Sequence, residues 1–265
     1  MVSTLETLLV SFAAGLALAV ATAPVGVSGA VFLLPIQFSI LHIPSPAVTP
    51  TSLLFNVVAT PGALTRYRRR APLRSPVTTL LLAGTVPGMV IGAVIRVFLI
   101  PGPRLFRVAA AALLLPLGIW LCLRNQTSPL HESAHQHPIP TKSVGLLAFG
   151  VGVVGGIYGI GGGSLLSPIL VGRGLPVTIV APAALTSTFV TSLVGATTYT
   201  VLAATNRGLE IAPDWTIGII AGAGGLIGGY LGAALQPHLP ERGLRVILGV
   251  LAITTAIVYT AQAVN

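Results

Sequence analysis

Long apolar stretches, separated by short polar turns, run along nearly the whole chain. They lie at about 4–23, 46–65, 76–99, 105–123, 143–158, 179–203, 214–236 and 243–262. The apolar positions do not alternate with polar ones, and most stretches approach the roughly 20 residues that a helix needs to cross the hydrocarbon core. Lipid-facing segments must be helices or a closed barrel, and a barrel needs alternation. The pattern therefore predicts an all-α polytopic membrane protein.

Two further apolar segments, 24–43 and 159–175, are interrupted by glycine and proline. The first contains Gly26-Val27-Ser28-Gly29 and then Pro35, and the second contains Gly159-Ile160-Gly161-Gly162-Gly163-Ser164 and then Pro168. The two prolines lie 133 positions apart in a chain of 265 residues. Each segment fits a short span, a half-helix or a re-entrant loop. A half-length repeat with interrupted helices is typical of secondary transporters, which bind their substrates at such breaks.

The repeat extends beyond these two segments. The matching features are Thr51-Ser52 with Thr186-Ser187, Gly84/Gly88/Gly92 with Gly224/Gly228/Gly232, and Arg104 and Arg107 with Arg242 and Arg245. Glycines four residues apart share one helix face and let helices pack closely in lipid. We predict two pseudo-symmetric repeats, 1–124 and 143–265, with four to five helical segments each and the broken helices at the centre. A polar linker that contains His and Pro, residues 125–142, joins them.

The sequence leaves open whether the repeats are inverted or parallel. If each broken segment crosses the membrane, every half has five spans and the second half is inverted; if each is re-entrant, the halves are parallel. Residues 66–74 are strongly basic, whereas 207–214 carries a net charge of −1, and this contrast favours inversion under the positive-inside rule. Against inversion, Arg96, Arg104 and Arg107 would then face outside. We expect Arg96 to snorkel to the surface from the end of its span.

Composition agrees with a membrane location. Hydrophobic residues make up 54% of the chain, charged residues only 7%, and the mean hydropathy is +0.94, which leaves too little polar surface for a soluble globule. A net charge of +9 would suggest nucleic acid in a soluble protein, but here the arginines cluster beside a span. We therefore expect no nucleic acid partner, a lipid bilayer partner, and a multi-pass location in the inner (plasma) membrane with residues 66–74 in the cytoplasm.

Several motifs together resemble a known family. They are the Gly161-Gly162-Gly163 run followed five residues later by Pro168, the Thr186-Ser187 span, the Gly224/Gly228/Gly232 helix and the duplicated layout. The chain is similar over nearly its whole length to the TauE/SafE family of sulfite and organosulfonate exporters, also called the toluene sulfonate uptake permease family. The first half departs from the pattern, with Ser28-Gly29-Ala30 where the family has a glycine run. The resemblance implies a permease, often an exporter, for small sulfur-containing or carboxylate anions, and does not fix the substrate.

The residues independently suggest an anion site. A glycine run that opens a helix exposes backbone N–H groups at the positive end of the helix dipole, so an anion can be held without a buried cation. Two such motifs facing each other near the midplane would form one site, with hydroxyl and amide donors around it. The predicted substrate-binding residues are Ser28, Gly29, Thr51, Ser52, Asn56, Gly161, Gly162, Gly163, Ser164, Thr186 and Ser187. Ser167, Gln37 and Tyr158 are further polar groups near this path. The alternative is that these glycines and hydroxyls serve only close helix packing.

Other functions remain possible at this stage. Gly26-Val27-Ser28-Gly29 also fits the motif around the nucleophile of rhomboid-type intramembrane proteases, but no histidine lies mid-span to act as its base. His131, His135 and His137 in the linker could hold a metal, which suggests a metal-cation transporter. A passive channel or a non-transporting membrane scaffold also fits the composition. We assign no catalytic residue, metal ligand or cofactor. The sequence leaves open the coupling ion (H⁺ or Na⁺), the direction of transport and the oligomeric state.

Overall fold

The computed structural model describes residues 4–69, 72–100, 102–123, 141–172, 175–206 and 211–264. Within these ranges the regular backbone is helical and contains no β-strand, which confirms the all-α prediction. The helices are α1 (Thr4–Thr22), α2 (Ala30–Ser39), α3 (Ser45–Arg68), α4 (Pro76–Phe98), α5 (Pro103–Leu123), α6 (Thr141–Tyr158), α7 (Leu166–Gly172), α8 (Val177–Thr205), α9 (Trp215–Leu235) and α10 (Glu241–Val264).

Each of the eight long apolar stretches coincides with one helix. Among the described residues, five segments are both long and apolar enough to cross a membrane. They are Thr4–Val25, Ser45–Arg68, Pro76–Phe98, Val177–Thr205 and Trp215–His238. The protein is therefore a multi-pass helical membrane protein, as predicted.

The two interrupted segments each contain a short helix. Gly26 and Gly159, which are 133 positions apart, both adopt left-handed backbone conformations, with φ of 74° and 73°; glycine is the residue that does so without steric cost. The ten residues of α2 span about 15 Å, half the hydrocarbon core, and α7 has only seven residues. The segments are thus half-helices, one of the three possibilities left open by the sequence.

The glycine run of the second segment does not open a helix directly, contrary to our expectation. Gly161 also has a positive φ, 72°, which is incompatible with a right-handed helix. Residues 161–165 therefore form a turn, and α7 begins only at Leu166. In the first segment Gly29 is the N-cap residue of α2, as the prediction required.

The glycine faces pack backbone to backbone as predicted. The glycines of α9 face the carbonyl oxygens of Phe12, Leu16 and Val20 in α1, and those of α4 face the carbonyl oxygens of Gly145, Phe149 and Val153 in α6. A Cβ on any of these glycines would overlap the facing oxygen. The three carbonyls of α6 lie 133 positions after those of α1 in the sequence, so the two contacts are equivalent in the repeat. In each case the first helix of one half packs on the fourth helix of the other half.

The order of such contacts gives the helix directions. Because the contacts advance together along both helices, α1 is parallel to α9 and α4 is parallel to α6. Helix α3 is also parallel to α9, since Leu54 contacts Gly218 and Ala63 contacts Gly229. Helices α1 and α3 therefore run in the same direction, and the broken segment between them takes the chain back across the bundle. This arrangement gives five crossings in the first half.

Helices α5 and α10 show how the halves are oriented. Gly118 lies against Ile253 while Cys122 lies against Gly249, so these equivalent helices are antiparallel. Equivalent helices run in opposite directions in an inverted repeat and in the same direction in a parallel one. The helix directions are those of an inverted repeat. The boundaries at 1–124, 125–142 and 143–265 stay a prediction, and most of the linker lies outside the described residues.

The register of the repeat is visible in α3 and α8. Tyr67 Oη donates to Ala23 O at 3.0 Å, and Tyr199 Oη donates to Gly156 O at 2.8 Å. These tyrosines lie 132 positions apart, as do the first residues of the two helices. The match of Thr51-Ser52 with Thr186-Ser187, at 135 positions, is therefore three residues out of register. In the structure Asn56 corresponds to Thr188.

Candidate functional site

The two broken segments meet at the centre of the bundle, and we call this place the crossing. Ser28 N donates to Ser164 Oγ at 3.3 Å, and Ser164 Oγ in turn donates to Ile160 O at 2.7 Å. Ser167 Oγ donates to Val25 O. These side chains are at most 7% exposed. The structure thus brings the two predicted motifs into direct contact.

Asn56 of α3 links the two segments. Its Oδ1 accepts from Ser28 Oγ in the first segment, and its Nδ2 donates to Gly159 O in the second at 3.4 Å. The amide is completely buried, and a buried polar group within a membrane is costly unless it is hydrogen-bonded. Asn56 therefore fixes the distance between the two segments.

Helices α8 and α4 supply hydroxyl groups to the glycine run. Gly162 N donates to Thr191 Oγ1 at 2.9 Å, and the hydroxyls of Ser164 and Thr188 are 3.3 Å apart. Thr85 Oγ1 of α4 lies 3.0 Å from Ser187 Oγ. Our sequence prediction missed all three threonines. Thr191 could have been found, because it follows the predicted Ser187 by four residues and so lies on the same helix face.

The glycine run is also needed for packing. A Cβ on Gly163 would overlap Ala184 O, and one on Gly162 would lie 2.7 Å from Thr85 Cβ. A Cβ on Gly161 would lie 2.6 Å from Thr188 Cγ2. These contacts fit the packing alternative as well as a binding site, so the substrate-binding role of the run stays a prediction.

Three predicted residues lie away from the crossing or serve another contact. Thr51 Oγ1 donates to Ala47 O at 2.7 Å and accepts from Asp214 N at 2.9 Å, so it supports the start of α9. Thr186 is half-buried and donates to Pro182 O at 2.7 Å. Ser52 lies one turn before Asn56 and donates to Oε1 of the fully buried Gln37 at 2.7 Å.

Two buried donors beside the crossing have no hydrogen-bond partner among the described residues. They are Gln37 Nε2 and Ser192 Oγ, and both side chains are 0% exposed. A Cβ on Gly161 would lie 3.0 Å from Ser192 Oγ, and Ser52, the partner of Gln37, packs against Gly159. A buried polar group without a partner costs roughly 1–3 kcal/mol. Such donors are typical of a site that a polar ligand completes.

The alternative functions find little support in these contacts. The Ser28 hydroxyl pairs with the Asn56 amide rather than with a base, and His42 and His238 are exposed. The described parts of the chain bring together no group of three His, Cys, Asp or Glu side chains that could hold a metal. His131, His135 and His137 lie outside the described residues.

A small cavity connects to the crossing on one side. It has a volume of about 20 Å³, enough for one water molecule, and its polar lining includes Thr22, Ser28 and Thr60. Gly29 and two glycines of α9, Gly225 and Gly229, also line it. The cavity lies toward the end of the bundle where α3 passes into α4 through residues 66–74. We call this the basic end and the other the opposite end.

At the opposite end the corresponding space is filled by side chains of α4. The glycine faces of α4 and α9 are 140 positions apart, so Thr85 corresponds to Gly225 and Met89 to Gly229. Met89 is completely buried, and a Cβ on Gly195 of α8 would lie 2.8 Å from its sulfur. The same repeat thus contains a cavity at one end and a packed methionine at the other.

Arg96 is also buried at the opposite end, so our expectation that it snorkels to the surface was wrong. Its side chain is 1% exposed. Nη2 donates to Ser45 O at 2.6 Å and to Ser45 Oγ at 2.9 Å, Nε donates to Thr49 Oγ1 at 3.3 Å, and Nη1 donates to Ile100 O. Because these oxygens are available inside the bundle, the guanidinium does not need to reach water. The corresponding residue is Gln236, directly after α9, whose Nε2 donates to Pro24 O at 2.9 Å.

Crossed half-helices inside a bundle with inverted helix directions occur in many membrane transporters. Sequence comparison gives the family. The model of the family described as "Sulfite exporter TauE/SafE" matches residues 11–259, and the chain belongs to this family. It is a multi-pass membrane transporter.

Individual relatives are distant. The chain is 26% identical over 267 residues to a "Probable membrane transporter protein" of Xylella fastidiosa (strain 9a5c), covering 96% of this chain and 95% of that protein. It is 25% identical over 190 residues to the "Probable membrane transporter protein YunE" of Bacillus subtilis (strain 168), covering 66% of each. No solved structure matches the chain.

Proposed function

We propose that this protein is a secondary carrier that moves a small anion by alternating access, with sulfite, an organosulfonate or a related sulfur oxyanion as substrate. The family supports this substrate class. The observation that carries the proposal is the pair of buried donors without partners, Gln37 Nε2 and Ser192 Oγ, beside the crossing. An oxyanion offers several acceptor oxygens, which suits donors of this kind.

Backbone amides at the crossing would complete the site. Gly162 N and Ser28 N now donate to the hydroxyl oxygens of Thr191 and Ser164. An arriving anion replaces these hydroxyl oxygens, and the hydroxyl groups then turn to donate to it. Hydrogen bonds to an ionised acceptor are roughly twice as strong as those between neutral groups. These stronger bonds would offset part of the cost of burying the anion without a cation at the crossing.

The difference between the two ends supports alternating access. The cavity reaches Ser28 from the basic end, whereas Met89 fills the corresponding space at the opposite end. In an inverted repeat, exchanging the conformations of the two halves exchanges which end is open. By the positive-inside rule the basic end faces the cytoplasm of the plasma membrane, so this conformation would be the one that faces inward.

The direct test is counterflow in proteoliposomes that contain the purified protein. Labelled sulfite, sulfoacetate, taurine, sulfate and acetate are compared with and without H⁺ and Na⁺ gradients. Saturable exchange of one sulfur anion is expected, and the gradient that drives accumulation identifies the coupling ion. If the protein moves divalent metal ions instead, or moves nothing, the metal-transporter or scaffold alternative replaces this proposal. Flux that does not saturate indicates a channel.

A matched pair of variants tests the binding site. Ser192→Ala removes a buried hydroxyl that has no partner, so stability should stay unchanged or rise. The KM for the anion should increase about tenfold, because a hydrogen bond to a charged group contributes roughly 1.5–3 kcal/mol. Thr186→Val is the control, since that hydroxyl bonds within its own helix. An unchanged KM in Ser192→Ala, or an equal change in both variants, contradicts the site.

A further inference from the structure

We propose that Arg96 is the charge-selective residue of the opposite end, where it attracts anions and discriminates against cations. The proposal rests on the proposed anion transport and adds to it a residue outside the crossing. It predicts that the two ends of one carrier differ in their affinity for the same anion.

The position of Arg96 places its charge close to the second broken segment. The guanidinium holds Ser45 at the start of α3 and Thr49 one turn further. Thr49 Oγ1 donates to Ile157 O at 3.2 Å, two residues before the left-handed Gly159. Of the charged side chains that the structure describes, Arg96 is the one that is fully buried.

The contacts of Arg96 can break when the opposite end opens. Its partners lie on the start of α3 and on Ile100, which follows the end of α4. Opening this end requires these segments to separate, because together with Met89 they close it. The guanidinium then meets solvent, and an entering oxyanion can replace the oxygens of Ser45 and Ile100. A planar guanidinium suits such an anion because it can donate two parallel hydrogen bonds.

A purely structural role does not require the positive charge. The other half performs the equivalent task with Gln236, whose amide donates to Pro24 O. Pro24 and Ile157 are 133 positions apart and so occupy the same position of the repeat. Gln236 contacts this position directly, and Arg96 contacts it through Thr49. Since a neutral amide suffices at the basic end, we assign the charge at the opposite end to recognition.

The first experiment compares anion transport from the two ends in oriented vesicles. Arg96→Gln makes the two ends alike at this position, and Arg96→Lys keeps the charge. With Arg96→Gln, the KM for the anion presented at the opposite end should rise about tenfold. The KM from the basic end should stay within about twofold, kcat/KM should change by the same factor at both ends as detailed balance requires, and Arg96→Lys should restore most of the affinity. An equal rise at both ends, or a rise that Arg96→Lys does not reverse, overturns the proposal.

The reciprocal variant gives an independent result if Arg96→Gln does not fold. Gln236→Arg leaves Arg96 intact and places a charge at the half-buried equivalent position of the basic end. It should lower the KM for the anion from that end by several fold, because a nearby unit charge attracts the anion there as well. An unchanged or higher KM from the basic end contradicts the proposal.

A thiol assay separates this proposal from the proposed function, because it needs no transport. Cys122→Ala removes the single native cysteine, and Ser45→Cys places a thiol next to Arg96. Negatively and positively charged methanethiosulfonates are then compared. Changing Arg96 to Gln in this background should lower the rate of the negatively charged reagent relative to the positively charged one about tenfold. If wild-type protein moves no anion, the proposed function fails, and the ratio of the two labelling rates alone decides the role of Arg96. If Arg96→Gln leaves that ratio unchanged, the proposed role of Arg96 is overturned.

Discussion

The basic end and the opposite end of the bundle have the same backbone design and different side chains. At both ends a tyrosine on the long helix after the broken segment donates to a carbonyl near that segment, and a glycine face packs on the first helix of the other half. The differences lie on α4 and α9. Thr85, Met89 and Arg96 on α4 correspond to Gly225 and Gly229 on α9 and to Gln236 at its C-terminal end.

This comparison shows how a duplicated chain can prefer one of two related conformations. An exact repeat would have two equivalent states of equal energy. Here the larger side chains of α4 fill the opposite end, and the glycines of α9 leave room at the basic end. The preference therefore comes from the volume of a few side chains rather than from a different fold. It follows that exchanging side chains between α4 and α9 should change which end is open.

The largest expected effect comes from closing the basic end. Gly229→Met places a methionine at the cavity, as Met89 already does at the opposite end. Both ends should then be blocked. Transport should fall by about a hundredfold, since roughly 3 kcal/mol for overpacking opposes entry. The measurement is the initial rate of counterflow, normalised to the protein inserted.

Gly229→Ala is the matched control for this variant. Its Cβ would meet Ala59 and Ala63 at 3.4–3.5 Å, which is ordinary contact. Transport close to wild type is expected. If the alanine variant is as inactive as the methionine variant, the loss reflects helix packing and not closure of the cavity.

The next effect comes from opening the opposite end. Met89→Ala removes a completely buried side chain and should lower the free energy of unfolding by about 2–5 kcal/mol, as for other buried methionines. In a Ser192→Cys background, Met89→Ala should also increase the rate at which the thiol reacts with a small water-soluble thiol reagent. Thermal unfolding in detergent and labelling rates in membranes measure the two effects. A destabilised protein whose Ser192→Cys thiol stays protected would show that Met89 is a core residue and not a closure.

The smallest effects are expected from the two tyrosines. Tyr67→Phe removes the hydrogen bond to Ala23 O and a longer contact with Pro24 O, and Tyr199→Phe removes the bond to Gly156 O. Each should lower the free energy of unfolding by about 1–2 kcal/mol. Similar losses are expected because the contacts are equivalent in the repeat. A difference of more than about 1 kcal/mol between the two variants contradicts that equivalence.

Much of the fold could be predicted from hydrophobicity alone. Each apolar stretch became a helix because lipid leaves the backbone no other way to satisfy its hydrogen bonds. The glycine faces were predictable as well, since spacing by four places glycines on one face. The directions of the helices could not be predicted. They depend on whether the segment with the ten-residue helix α2 carries the chain across the bundle, and only the contacts of α1 and α3 with α9 show that it does.

The site was less predictable than the fold. Ser28 and Ser164 meet as expected, because each lies in a glycine motif, and Asn56 joins them as an amide within a span that needs a partner. Thr51 and Thr186 were chosen by a match three residues out of register, and their hydroxyls bond to carbonyls of their own helices. Arg96 misled the prediction because the oxygens that hold it come from α3 and from the chain after α4, which a sequence does not place together.

The most direct test compares one position in the two halves. Thr60 lines the cavity, and Ser192, 132 positions later, is its equivalent at the opposite end. Each is replaced by cysteine in a Cys122→Ala background and labelled in membranes with a small water-soluble thiol reagent. We predict that the thiol at position 60 reacts and the thiol at 192 is protected without substrate, and that a transported anion slows the first. If both thiols react at once, or if no anion changes either rate, the protein does not alternate between two ends.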